Sequence, residues 1–185
     1  QLDSAQRRVM TVARVHERLY QSDEIGTVEL APYLRGMCDD LVASLASGCG
    51  RLRIEVEAPS VALPADKVVL LGLMINELAT NALRHAYPDG EGVVRVVAGV
   101  EQGSLVLAVR DSGPGLPAGF DPARSRGFGM KLVRGLAQRL DGRVDAATGA
   151  GGAEIRVVLP LQPPARPVAD AAAPRGDGRG AQVSA

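Results

Sequence analysis

The chain has 185 residues, 46% of them hydrophobic, and its 21 basic side chains match 21 acidic ones. That is enough for one globular domain with appendages, and the balanced charge gives no overall attraction to nucleic acid, an anionic membrane or an acidic partner. Cys38 and Cys49 are too few for a disulfide framework and have no zinc-ligand companions nearby. No apolar run approaches the roughly 20 residues of a membrane span, and the N-terminus lacks a signal-peptide pattern, so the expectation is a cytoplasmic segment without direct membrane contact, any anchor lying upstream.

From Ala5 to Tyr20 the residues Val9, Met10, Val12, Ala13, Val15, Leu19 and Tyr20 recur at helical spacing, with Arg7, Arg8, Arg14 and Arg18 opposite. An amphipathic helix of this kind needs a partner, as in a helical hairpin or a dimer. A linker, Gln21 to Leu30, leads to a helix from Pro32, a residue suited to a first turn, to about Ala46. Arg51 to Glu57 alternates Leu52, Ile54 and Val56 with charged residues and is predicted to be a half-buried strand. Pro64 to Asp66 opens a long helix, starting at Lys67 or just before, whose apolar positions include Val69, Leu70, Leu73, Met74, Leu78, Ala82 and Leu83.

Two β-rich runs follow, Gly92 to Val100 and Ser104 to Arg110, joined through Glu101, Gln102 and Gly103 as a hairpin. After a Gly/Pro-rich loop, Phe128 to Leu140 is predicted helical, and Arg143 to Ala147 with Ala153 to Leu159 makes a last strand pair. The blocks predict an α+β fold, a two-layer α/β sandwich with helices on one face of a mixed, mostly antiparallel sheet. The organisation expected is a dimerisation helix over 1–22, a linker and first helix over 23–50, a core over 51–161, and a tail over 162–185 whose Pro/Ala/Gly/Arg composition predicts disorder.

Three segments carry chemistry. On the long helix, Glu77, Asn81 and Arg84 fall at i, i+4 and i+7 on one stripe, while Leu78, Ala82 and Leu83 help cover another. An amide oxygen there could ligate Mg²⁺, a cation could offset phosphate, and a carboxylate could orient or deprotonate a nucleophile. The same stripe also suits a plain solvated helix face. Next, Asp111-Ser112-Gly113-Pro114-Gly115-Leu116-Pro117 directly follows a strand. Its carboxylate could accept from an exocyclic amine and its glycines turn the backbone beneath a flat ring, although an ordinary turn has the same residues. Last, Arg126-Gly127-Phe128-Gly129-Met130-Lys131 runs glycines into a helix start, where free amides and the helix dipole favour phosphate. Neither the P-loop nor the dinucleotide glycine pattern is complete.

In this order the motifs are specific, and the chain resembles the Bergerat-fold ATPases, the group that includes sensor histidine kinases, DNA gyrase, Hsp90 and MutL. Asn76 to Ala86 is similar to the N box, Asp111 to Pro117 to the first glycine box, and Gly127 to Leu132 to the second. Gly149 to Ala153 resembles the closing glycine motif, with Ala153 where that family more often has a threonine. Val12 to Tyr20 is similar to the second dimerisation helix of histidine kinases related to the HWE group. The lack of tryptophan points to a sister group of the HWE kinases proper.

The resemblance implies an ATP-dependent protein-histidine kinase of a two-component system. Asn81 would ligate Mg²⁺, Glu77 would assist transfer as base or orienting group, Arg84 would contact phosphate, and His85 would contact phosphate or simply finish the helix. Asp111 would bind the adenine amine in a pocket shaped by Gly113 and Gly115. Gly127, Phe128, Gly129 and Met130 would bind the nucleotide, with Gly127 and Gly129 the hinge of a mobile lid over about 119–126. A response regulator and a second copy, joined through the N-terminal hairpin, are the implied partners, with no nucleic acid. His16 lies on the second helix of that hairpin and is not expected to accept phosphate; the acceptor is expected upstream. The other readings are a scaffold that has lost nucleotide binding and a Bergerat ATPase or serine kinase of another class.

Overall fold

In the computed structural model the described residues are 26–45, 51–149 and 151–161; the predicted helix over 5–20, with His16, and the tail over 162–185 lie outside them. Chain order is β1 (Thr27–Glu29), α1 (Leu30–Leu45), β2 (Arg51–Glu57), β3 (Ala62–Pro64), α2 (Ala65–Ala86), β4 (Glu91–Glu101), β5 (Ser104–Arg110), a 3-10 turn (Pro122–Arg124), α3 (Phe128–Arg139), β6 (Arg143–Gly149) and β7 (Gly152–Pro160). The stretch read as a linker thus contains a strand, and β1 pairs antiparallel with β3 in a two-stranded sheet of its own.

The main sheet has the order β2-β4-β5-β7-β6. Only β2 and β4 are parallel, joined by the crossover that carries α2; the other pairings are antiparallel. The β4–β5 hairpin closes on Gln102 and Gly103, both at positive φ (48° and 75°), as a primed two-residue turn requires for its twist to match the strands. One face of the sheet buries Val94, Val96, Leu105, Leu107, Val109, Ile155 and Val157 in a single cluster with Val68, Leu71, Met74, Ile75 and Leu78 of α2 and Met130 and Val133 of α3. The sandwich expected from the sequence is the fold observed. On the other face long side chains pair: Arg95 with Glu55 at 3.1 Å, Arg156 with Glu101 at 2.7 Å, and Arg110 with Glu154. Exposed pairs of this kind add little stability.

α1 is part of the same core. Leu30 and Leu34 are fully buried, and Tyr33 lies against Gly72 of α2, where any β-carbon would collide with the Tyr33 ring. Cys38 of α1 is 1% exposed, and burial, aided by the neighbouring Asp39 carboxylate, pushes its thiol from 9.0 up to about 12. A pKa raised in the folded state adds stability that is complete below the unfolded value. It is lost as pH climbs from 9.0 through about 12, because the unfolded chain releases the proton first. Urea unfolding at stepped alkaline pH should therefore show a steeper loss of stability for the native chain than for Cys38→Ala; equal slopes would contradict a thiol sealed in the core.

Candidate active site

The end of β5 is where the sheet turns into chemistry. Asp111 continues the β5–β7 ladder by one bond, its N–H donating to the Ala153 carbonyl at 3.0 Å. Its Oδ1 accepts from the Gly113 N–H at 3.0 Å and the Ala153 N–H at 3.2 Å, an Asx turn that fixes the carboxylate in place. Oδ2 accepts no bond among the described residues. Two glycines permit this packing. A β-carbon on Gly113 would come within 2.5 Å of Ala86 at the end of α2, and Gly152, at φ 112°, faces the Asp111 carbonyl so closely that a β-carbon would overlap it.

Asp111 borders a cavity of about 530 Å³ between α2, the glycine loop and the start of α3. Its apolar wall is Leu78, Ala82, Val109, Leu116, Phe120, Met130 and Ile155, and its polar contributors are Asn81, His85, Asp111 and Ser125. An apolar slot with a few convergent polar groups is the usual make-up of a small-molecule site, and the volume lies within the roughly 300–1,000 Å³ such sites occupy. Asp111 shares this wall with Gly127, Phe128 and Gly129, where α3 begins. Those first amides have no partner within the helix, so the site pairs an acceptor for an amine with a helix N-terminus suited to an anion.

α2 brings its polar residues to this cavity unequally. Glu77 is 7% exposed, and a β-carbon on Gly129 would fall 2.7 Å from its Oε2 and 3.3 Å from the Asn81 Nδ2. The first turn of α3 therefore lies directly against the turn of α2 that bears both side chains. A carboxylate beside a helix N-terminus is favoured by the dipole. Asn81 and His85 line the cavity, as do Gly115, Gly127, Phe128, Gly129 and Met130; Glu77, Arg84 and Gly113 are not among its wall residues. Arg84 has nearly the azimuth of Glu77 but lies two turns beyond it and is exposed. The stripe that meets the cavity runs through Leu78, Asn81, Ala82, His85 and Ala86, and the position of the α3 start along α2 separates buried Glu77 from exposed Arg84.

The loop over 117–127 is built on its own hydrogen bonds. The Asp121 carboxylate caps the 3-10 turn through the Ala123 N–H at 2.7 Å, and Arg134 of α3 donates to the carbonyls of Pro122, at 2.8 Å, and Ala123. Phe128 is 63% exposed beside it.

Two hydroxyls that no sequence motif marks hold the glycine loop. The Tyr87 Oη accepts from the Ser112 N–H at 2.9 Å and donates to the Val93 carbonyl at 2.6 Å. The Thr148 Oγ1 accepts from the Leu116 N–H at 2.9 Å. Thr148 pairs across the β6–β7 ladder with Ala153, the position where the closing glycine motif lacks its threonine. Their partners lie 25 and 32 residues away in the chain, beyond any local pattern.

Comparison with known families decides what such a cavity belongs to. The family described as histidine kinase-, DNA gyrase B-, and HSP90-like ATPase matches residues 66–163, and one described as histidine kinase matches residues 1–45. This chain belongs to that ATPase family. Among its relatives, blue-light-activated histidine kinase 2 of Erythrobacter litoralis is 29% identical over 92% of this chain and 50% of its own length. Sensor histidine kinase PdtaS of Mycolicibacterium smegmatis is 30% identical over 84% of this chain and 32% of its own. The solved Erythrobacter litoralis EL346 blue-light activated histidine kinase superposes with a TM-score of 0.74 at 29% identity, covering 87% of this chain and 49% of that one. The chain spans half or less of the length of these curated relatives.

The fit to an adenine nucleotide rests on Asp111, a wall residue whose Oδ2 accepts no bond among the described residues, and on the α3 N-terminus in the same wall. For Mg²⁺ the cavity offers the Asn81 amide, and the described residues contain no group of three His, Cys, Asp or Glu side chains that could cage a metal. A single amide suits an ion that keeps its waters and shares phosphate oxygens.

The glycine packing makes a direct prediction. Gly152→Ala should destabilise the fold by about 2 kcal/mol or more through its positive φ and the overlap with Asp111, whereas Gly151→Ala, with open space around it, should stay within about 0.5 kcal/mol. Chemical denaturation of the two variants checks the contrast.

Proposed function

We propose that this chain is the ATP-binding catalytic part of a two-component sensor histidine kinase, acting on a histidine supplied by a helix outside these residues. The observation that carries the reading is the convergence on one cavity of Asp111, Asn81 and the glycine-flanked start of α3, with Glu77 packed against that same start. When bound, Mg-ATP supplies the transferable phosphoryl group. Asp111 Oδ2 accepts from the adenine amine, and the α3 amides with His85 receive phosphate oxygens. Asn81 holds the metal through its amide oxygen. Glu77, sheltered from bulk water, orients the attacking histidine or takes its proton as the nucleophile advances. Arg84 lends its charge from outside the wall, where it is screened and weak.

Around this centre, the segment over 1–22 serves as one helix of a dimerisation hairpin, in keeping with the histidine kinase match over 1–45. The segment over 119–126 serves as a lid, and an aspartate of a response regulator receives the phosphoryl group from the histidine. Among the described residues no helix is long and apolar enough to cross a membrane.

Isothermal titration with ATP, with and without Mg²⁺, tests the first step. Asn81→Ala should lose about tenfold or more in Mg-ATP affinity and much less for metal-free nucleotide. Glu77→Gln should keep ATP affinity within about threefold yet slow labelling of a supplied acceptor helix by about a hundredfold or more, the range for a positioned proton acceptor. Affinity for ATP indifferent to Mg²⁺ and to Asn81, or labelling indifferent to Glu77, would overturn these assignments.

A further inference from the structure

The loop that carries Asp111 has three of its amides already engaged. Ser112 donates to Tyr87 at 2.9 Å, Gly113 to Asp111 itself at 3.0 Å, and Leu116 to Thr148 at 2.9 Å. Two of the three acceptors come from other elements, on opposite sides of the loop. Tyr87 follows the last residue of α2, and its ring sits over Gly92, where a β-carbon would collide with it. The hydroxyl is held at a second point by donation to the Val93 carbonyl of β4. Thr148 lies on β6, close enough that a β-carbon on Gly115 would come within 2.5 Å of its hydroxyl, and that hydroxyl also donates to the Gly152 carbonyl at 3.4 Å.

We infer that Tyr87 and Thr148 are positioning residues for adenine recognition, pinning the loop from its α2 side and its β6 side so that Asp111 Oδ2 stays aimed into the cavity. The inference rests on the ATP reading above. Neither hydroxyl needs to touch the nucleotide. Each removes a freedom of the loop, and the cost of its loss falls on the one interaction that demands a fixed carboxylate. A guanine ring has no amine at the position Asp111 serves and gains nothing from that aim. The two residues therefore act on the preference for ATP over GTP rather than on nucleotide binding in general.

The whole chain, titrated with Mg-ATP and with Mg-GTP, gives the test. Tyr87→Phe and Thr148→Val should each weaken ATP about five- to tenfold, the scale of one hydrogen bond, and leave the weaker GTP affinity unchanged. Thr148→Ser, which keeps the hydroxyl, should restore the ATP preference. Amide hydrogen exchange of the nucleotide-free chain should show Ser112 faster in Tyr87→Phe and Leu116 faster in Thr148→Val, each alone. An unchanged ATP-to-GTP ratio in both variants overturns the inference, as does an equal loss for both nucleotides accompanied by a lower melting temperature, which would mark a purely structural role. A wild-type chain that bound neither nucleotide would instead overturn the ATP reading, and this inference with it.

Discussion

The burial of Glu77 against the first turn of α3 is the constraint on which the rest of the site depends. It is the one acidic or basic side chain of the Asp, Glu, Lys, Arg and His types that is buried among the described residues, and burying a carboxylate is costly without compensation. The start of a helix provides it, in the form of a favourable dipole and amides without helical partners. That solution dictates the geometry around it. The first turn of α3 must approach α2 closely, and Gly129 is the residue that lets it do so. The same approach leaves Asn81 at the rim and opens the cavity between the two helices and the loop after β5.

Once α3 is placed, the sheet supplies the opposite wall. β5 is the middle strand, flanked by β4 and β7, and is buried along most of its length. A residue at its end inherits that rigidity. Asp111 uses it twice, first by extending the β7 ladder through its backbone and then by turning its side chain back onto the amides of Gly113 and Ala153. The carboxylate is thus set by the central strand of the sheet, whereas the loop across the cavity from it is tied down through Asp121 and Arg134.

Much of the fold was legible in the sequence because its elements have strong periods. The alternation of Leu52, Ile54 and Val56 and the long apolar stripe of α2 are local signals, and each matches an element of the structure. β1 and β3 were not read, since strands of three residues carry no period and are defined only by pairing with each other. The motif residues were legible as a group because glycines and a carboxylate at fixed offsets are sequence properties. Their division of labour was not. Glu77, Asn81 and Arg84 look equivalent on a helical wheel, and only the position of α3 along α2 separates the buried carboxylate from the exposed guanidinium.

By itself, then, the sequence determined the element types, the sandwich class and the three segments that meet at the cavity, because hydrophobic period and glycine placement act over a few residues. The tertiary structure alone decided which side of α2 faces the cavity, why Gly152 tolerates no side chain and Gly129 sits so close to Glu77, and that Tyr87 and Thr148 grip the Asp111 loop. Those contacts join residues tens of positions apart, and their distances follow from the packing of helices on a sheet rather than from any neighbour in the chain.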